Sequence, residues 1–141
     1  MKPIALQLYT VRELAKADFF AMLKTVADIG FAGVEFAGLF GHQPAEVRKV
    51  MDDLGMKTCG FHIGMPAPDA VESLKEMADA LGCNRMICPW LSKRRFACAD
   101  EIRRTAAIME ATAKLLNAHG LQFLYHNHEH EMDKFDGQAG M

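Results

Sequence analysis

The sequence lacks long hydrophobic runs and an excess of charge of either sign. No stretch approaches the ~18 consecutive apolar residues that a membrane-spanning helix needs, and the first residues lack the apolar core of a secretory signal. The 16 basic and 18 acidic side chains give a net charge of -2, so there is no positive surplus to attract a polyanion. We therefore expect a cytoplasmic protein with neither a membrane nor a nucleic acid as partner.

Cysteine is also scarce, with 4 residues in a chain of 141. This density is far below that of disulfide-stabilised domains. The sequence contains no Cys-x-x-Cys pair, which a zinc finger would require. We predict buried or half-buried free thiols at Cys59, Cys83, Cys88 and Cys98. Hydrophobic residues make up 50% of the chain and charged residues 24%, which is typical of a globular protein of about one domain.

One pattern recurs four times, in which a glycine ends a helical stretch and precedes an apolar run. The glycines are at positions 30, 55, 82 and 120, so 25 to 38 residues separate them. This spacing fits a repeated strand, loop and helix, because glycine readily adopts the left-handed conformation that ends a helix. The helical stretches have apolar residues at a period of 3.6, and we place Asp18 and Asp69 at helix N-caps and Pro44 in a first turn.

Five short apolar segments between these helices predict strands, at residues 4–9, 33–36, 58–62, 85–89 and 122–126. Apolar strands that alternate with helices indicate a parallel sheet covered on both faces. The prediction is an α/β fold with five strands and four helices, in a single domain over residues 1–141.

Polar side chains gather where these predicted strands end. Gln7 and Tyr9 end the first strand, Glu35 and His62 lie at the ends of the second and third, and Trp90 follows the fourth. In parallel α/β folds the loops at the carboxyl ends of the strands converge, and functional sites lie there. This asymmetry is the main functional signal of the sequence.

Taken singly, these residues leave alternatives open. Glu35 is either a solvated or paired carboxylate or a catalytic group, and His62 is either a core histidine or a site residue. Trp90 provides either a wall for a sugar ring or a lid over the core. The basic run Lys93-Arg94-Arg95 is either a solvated loop or a contact for a phosphate or carboxylate of the substrate.

The fifth strand ends in a segment rich in ionisable groups. Residues 126–131 (HNHEHE), which follow Tyr125, contain three histidines and two glutamates. If the strand continues, His126 and His128 point to one side and Asn127 to the other. Imidazole and carboxylate groups are good ligands for a divalent cation such as zinc or manganese. The segment therefore indicates metal binding or direct contact with a hydroxylated substrate.

Several of these segments together resemble a known family. Residues 6–12 (LQLYTVR), 29–35 (IGFAGVE) and 125–128 (YHNH) followed by Glu131 resemble the first, second and fifth strands of the sugar phosphate isomerase/epimerase proteins. Residues 134–137 (KFDG) resemble the loop that follows the fifth strand. These proteins have a xylose isomerase-like TIM barrel, and the resemblance runs along the whole chain.

The resemblance implies a (β/α)8 barrel and proton transfer next to a carbonyl, beside a divalent metal such as Mn, Zn, Mg or Co. The substrate would be a small hydroxylated carbonyl compound, a sugar or sugar phosphate, and related members are isomerases, epimerases, dehydratases or lyases. In well-known branches a Glu, Asp, His and Glu at the ends of strands five to eight hold the metal. The implied roles are proton transfer for Glu35 and His62, substrate binding for Gln7, Tyr9, Trp90 and Asn127, and metal binding for His126, His128 and Glu131.

The chain is short for such a barrel, which takes roughly 200 residues or more. We therefore expect a fold truncated after about five strands and four helices, with residues 136–141 as an interrupted loop. Its two unpaired edge strands and uncovered inner surface predict a homo-oligomer or a complementing chain. One alternative function is a non-catalytic fragment that only self-associates; another is a DNA-repair enzyme like endonuclease IV, against which the balanced charge argues.

Overall fold

The structure is a computed structural model that describes residues 2–135 and 138–139. Five parallel strands form its main sheet in the order β1 to β5. They are β1 (Ala5–Gln7), β2 (Gly33–Phe36), β3 (Lys57–His62), β4 (Arg85–Cys88) and β5 (Gln122–Tyr125). The predicted α/β fold with five consecutive parallel strands is confirmed.

Helices connect these strands, and the first connection differs from the prediction. It contains two helices, α1 (Arg12–Ala17) and α2 (Phe19–Ile29), because Asp18 has an extended backbone. The Asp18 side chain accepts a hydrogen bond from the backbone N–H of Ala21 at 2.9 Å, so its predicted role as an N-cap is confirmed. The other helices are α3 (Pro44–Asp53), α4 (Val71–Leu81) and α5 (Ala99–Asn117).

The two other predicted helix starts have different outcomes. Pro44 is the first residue of α3, as predicted. Asp69 is not an N-cap, because it lies inside a 3-10 turn at Pro68–Ala70, and α4 begins only after that turn with no side-chain cap. A proline favours the first turn of a helix, and here it starts this separate turn.

The four glycines of the sequence pattern end their helices as predicted. Gly30 and Gly82 are left-handed C-caps with φ of 104° and 65°, and Gly55 and Gly120 also have positive φ. The backbone N–H of Gly30 donates to Ala27 O at 2.9 Å, which satisfies a carbonyl that the end of the helix would otherwise leave free.

The second and third strands end where the sequence predicts, at Phe36 and His62, and the other three are shorter at their carboxyl ends. The first strand stops at Gln7, and Tyr9 lies in the 3-10 helix Leu8–Val11, whose start is capped by the Gln7 side chain. Pro89 and His126 also fall just beyond β4 and β5. Near the chain's end, Lys134–Phe135 (β6) and Gln138–Ala139 (β7) form a small antiparallel pair where we predicted a loop; residues 136–137 and 140–141 of that predicted loop lie outside the described residues.

The hydrophobic core lies between the helices and one face of the sheet. Val34, Phe36, Phe61 and Met86 supply the sheet side of this core, and each is at most 2% exposed. Because side chains alternate along a strand, the opposite face, which we call the inner face, carries Gln7, Glu35, His62, Ile87 and Leu124. Leu124 on this face is 44% exposed.

All four cysteines are free. Cys88 is buried, and Cys59 and Cys83 are half-buried, as predicted; Cys98 is exposed, because it precedes α5 at the surface. Burial raises the pKa of the Cys88 thiol. Among the described residues, no helix combines the length and apolar character that crossing a bilayer requires.

Candidate active site

The site begins with a pair of side chains on β2 and β3. Along these strands Val34 lies opposite Thr58, but the next residue, Glu35, lies opposite Gly60, so the register shifts by one residue. Because a shift of one residue moves side chains to the other face of a sheet, Glu35 and His62 both lie on the inner face. His62 Nε2 is 2.9 Å from Glu35 Oε1.

Gln7 completes the surroundings of this pair. It lies opposite Glu35 on β1, and its Nε2 is 3.5 Å from His62 Nε2. Its Oε1 accepts a hydrogen bond from Tyr9 N at 3.0 Å. The side chains of His62 and Glu35 are 11% and 26% exposed, so the pair is sheltered but remains open to a small ligand.

His126 joins the pair from the residue after β5. Its backbone N–H donates to Cys88 O at 3.0 Å, which continues the sheet pairing by one residue. Its ring centroid is 6.1 Å from that of His62. One ligand atom from each of Glu35, His62 and His126 lies within 4.8 Å of the other two. We call these three residues the triad.

The donor set of the triad is two imidazole nitrogens and one carboxylate oxygen. Three protein ligands of this type, with a further position left for water or substrate, are the usual arrangement of a catalytic zinc site, and the same ligands also suit other transition metals. The residues present therefore fit a divalent cation. Among the residues that the structure describes, the triad is the one group of three His, Cys, Asp or Glu side chains whose ligand atoms come this close together.

A cleft of about 660 Å³ opens beside the triad. His62 and His126 line it together with Gln7, Tyr9 and Trp90. Tyr9 and Trp90 are more than half exposed, at 57% and 56%. The exposure of Trp90 favours the wall of a cleft over a lid on the core.

The other predicted site residues lie around the triad. His128 lines the cleft, its ring centroid is 5.1 Å from that of His126, and its Nδ1 is buried with no hydrogen-bond partner among the described residues. Asn127 does not line the cleft; it lines a second hollow of about 400 Å³ that also contains Glu35 and His126.

Glu131 is fully buried, and the structure does not bring it to the triad. The Tyr125 hydroxyl donates a hydrogen bond to its Oε1, and His128 N donates to its Oε2 at 2.7 Å. Burial acts to raise the pKa of Glu131, but these hydrogen bonds outweigh it and hold the pKa below its ordinary value. Burial and the nearby carboxylate raise the pKa of Tyr125.

The basic run at residues 93–95 does not reach the cleft. It forms the 3-10 helix Lys93–Phe96, and the exposed Lys93 and Arg94 line a separate hollow with His130 and Asp133. The position of the run agrees with the solvated-loop interpretation.

The sequence identified each member of the triad but assigned them to different roles. Glu35 and His62 were predicted to transfer protons, and His126 to bind metal with His128 and Glu131. The structure instead groups Glu35 and His62 with His126. A signal was present, because all three residues lie at ends of strands in one parallel sheet, but the register shift that puts two of them on one face leaves no sequence pattern.

Comparison with known proteins gives matches among solved structures. No family model and no curated protein sequence matches the chain. The structure is similar to a sugar phosphate isomerase/epimerase from Parabacteroides distasonis ATCC 8503, with a TM-score of 0.73 and 21% identity over 95% of this chain and 54% of that one. It is also similar to an AP endonuclease, family 2, from Brucella melitensis, with a TM-score of 0.62 and 18% identity over 89% of this chain and 55% of that one.

Both likenesses extend over most of this chain, and their TM-scores show a common fold. The chain spans about half the length of each matched structure. Its five parallel strands and intervening helices therefore have the α/β fold of xylose isomerase-like TIM-barrel proteins, over about half of the length of those proteins.

Proposed function

We propose that this chain carries part of the active site of a metal-dependent isomerase or epimerase. Its substrate would be a small hydroxylated carbonyl compound, a sugar or sugar phosphate, and the reaction would move a proton on the carbon next to the carbonyl. The observation that carries the proposal is the convergence of the triad within 4.8 Å at the carboxyl ends of the strands. The fold shared with a sugar phosphate isomerase/epimerase supports it.

In this proposal Glu35, His62 and His126 hold a divalent cation. When bound, such an ion supplies Lewis-acid polarisation of a carbonyl oxygen, which acidifies the neighbouring C–H group. Gln7 Nε2 and Glu35 Oε1 both lie close to His62 Nε2, at 3.5 Å and 2.9 Å, so this nitrogen faces the carboxylate with which it would share the ion.

The cleft and the hollow beside it provide the groups that would bind the substrate. Tyr9 and Trp90 present exposed aromatic surfaces, on which the C–H face of a sugar ring packs well. The Arg12 guanidinium lies 4.4 Å from the centre of the Tyr9 ring and holds that ring in place. Asn127, in the neighbouring hollow, offers an amide to a substrate hydroxyl.

Glu35 and His62 also keep the predicted alternative role in proton transfer. Their contact of 2.9 Å joins a carboxylate to an imidazole, and both are side chains that serve as general acids or bases. Metal binding and proton transfer compete for the same lone pairs, so a metal titration distinguishes the two roles.

We expect the chain to bind one Mn²⁺ or Zn²⁺ per triad in isothermal titration calorimetry. His62→Ala and His126→Ala should each weaken binding by about tenfold or more, because each removes one of three ligands. His119→Ala is the matched control, since His119 lies at the opposite end of the strands in another hollow, and should leave the affinity unchanged. Equal affinity in the wild type and His126→Ala would contradict a metal site at the triad.

A DNA-repair endonuclease is the second candidate, because the AP endonuclease shares the fold. Proteins that bind DNA neutralise phosphates with Lys and Arg, and their affinity falls steeply with salt. Neither Lys nor Arg is among the described residues that line the cleft. We therefore expect no salt-dependent binding to a duplex that contains an abasic site; such binding, measured by fluorescence anisotropy, would favour the endonuclease.

The remaining alternative is a non-catalytic fragment that only self-associates. The metal titration separates it from the enzyme, because self-association alone requires no ligand set at the triad. A chain that associates but binds neither Mn²⁺ nor Zn²⁺ would support this alternative.

A further inference from the structure

Glu131 lies in the 3-10 helix Glu129–Met132 directly after the histidine segment, and the proposed reaction gives it no role. Its side chain is 0% exposed. A buried carboxylate is costly unless hydrogen bonds satisfy both of its oxygens. Each carboxylate oxygen of Glu131 accepts one hydrogen bond. The two donors show which part of the chain the carboxylate holds in place.

The two donors lie on either side of His126 in the chain. Oε1 accepts from the hydroxyl of Tyr125, the last residue of β5, and Oε2 accepts from the backbone N–H of His128 at 2.7 Å. The carboxylate therefore ties the end of the strand to the backbone two residues beyond His126. His126 itself is held to β4 through its N–H bond to Cys88 O.

The surroundings of the carboxylate are well packed. The Phe96 ring lies 6.3 Å from that of Tyr125 and 5.6 Å from that of His130. His130 Nε2 is 3.3 Å from Glu131 Oε1 but forms no hydrogen bond within the part of the chain that the structure describes. If Glu131 turned towards the triad to act as a ligand, the Tyr125 hydroxyl and the His128 N–H would both lose their acceptor, and a buried donor without a partner costs about 1–3 kcal/mol.

We propose that Glu131 is a positioning residue, not a metal ligand, and that it sets the place of His126 relative to Glu35 and His62. This inference rests on the proposed function, because it assumes that the triad binds a cation. Residues that orient ligands from outside the donor set commonly change metal affinity by about 10- to 100-fold when they are replaced.

The test uses Co²⁺ as the probe, because its visible absorption reports the number and geometry of its ligands. Glu131→Gln should bind Co²⁺ about tenfold more weakly than the wild type and, at saturation, give a changed spectrum. Tyr125→Phe removes one of the two hydrogen bonds and keeps the ring packed against Phe96, so it should produce a smaller change in the same direction. Glu129→Gln, an exposed neighbour in the same 3-10 helix, is the control and should match the wild type.

The saturated spectrum separates positioning from general destabilisation, because a loss of stability alone leaves the spectrum of the folded, loaded protein unchanged. Wild-type affinity and spectrum in Glu131→Gln would overturn the proposal and leave the triad standing. If Glu131→Gln does not fold, as judged by circular dichroism, Tyr125→Phe decides, and identity with the wild type overturns the proposal. If the wild-type chain itself binds no Co²⁺, the proposed function fails and this inference fails with it.

Discussion

At the scale of single residues, the ionisation of Glu131 and Tyr125 links the stability of the β5 loop to pH. The pKa of Glu131 lies below its ordinary value of 4.5 in the folded chain. Its contribution to stability is therefore fully present above about pH 4.5 and is lost as the pH falls through the folded pKa. The Tyr125 pKa is raised above its ordinary value of 10.0, so its contribution is present below pH 10 and is lost at higher pH.

We expect Glu131→Gln to lower the free energy of unfolding by about 2 kcal/mol at pH 7, since hydrogen bonds to a charged group contribute roughly that much. The difference between wild type and variant should shrink as the pH falls from 5 towards 3, because the wild-type carboxylate then becomes protonated. Urea unfolding at several pH values measures this difference. A gap that stays constant over this range would show that the charge of Glu131 contributes nothing.

The sequence predicts residue types at the site better than their roles. Glu35, His62 and His126 stand out because ionisable groups at ends of apolar strands are conspicuous. The role of Glu131 is hidden, because it depends on hydrogen bonds from the Tyr125 hydroxyl and the His128 backbone that form only in the folded chain. A sequence pattern contains no information about which of several nearby carboxylates turns inward.

At the scale of elements, the pairing of β2 with β3 decides whether the site exists. Without the register shift after Val34, His62 would lie on the face opposite Glu35. The register shift lies close to two glycines, Gly60 and Gly33, which place no side chain between the strands. Gly60 lies opposite Glu35, and a Cβ at this position would be 2.6 Å from Ile87 Cδ1. Gly33 starts β2, where a Cβ would be 2.4 Å from Lys57 O.

We expect Gly33→Ala to destabilise the chain by about 1–3 kcal/mol, because the added methyl group meets a backbone carbonyl that cannot move without separating β2 from β3. Gly64→Ala is the matched control. A Cβ at Gly64 meets nothing within 4 Å, so the change should stay within about 0.5 kcal/mol. Chemical unfolding of both variants tests this expectation. Equal stabilities of the two variants would contradict it and would show that β2 and β3 can move apart at little cost.

The order of the elements is predictable from the sequence, whereas this register is not. Glycines that end helices and apolar runs between them are local signals, and they correctly place five strands. The break at Asp18 that divides α1 from α2, and the 3-10 turn before α4, arise from local geometry that the helical period does not reveal. The register shift depends on contacts between strands that are separated by an entire helix.

At the scale of the whole molecule, the described sheet has two edges and an uncovered inner face. The edge strands β1 and β5 each pair with one neighbour in the part of the chain that the structure describes. Ile87 and Leu124 line a hollow on the inner face together with Glu35. In the two similar solved structures, about half of the chain has no counterpart here. Exposed strand edges and apolar surface favour association with another chain.

We expect the 141-residue chain to self-associate in sedimentation equilibrium, through β5 and the inner face. Leu124→Lys should weaken this association, because it puts a charge on an edge strand whose apolar side chain is 44% exposed. Ile29→Lys is the control, since Ile29 is 68% exposed at the end of α2, and it should associate like the wild type. Circular dichroism should show the same helix content in all three proteins. A wild-type chain that sediments as a compact monomer would contradict the prediction, and equal weakening by both substitutions would place the contact elsewhere than on the inner face.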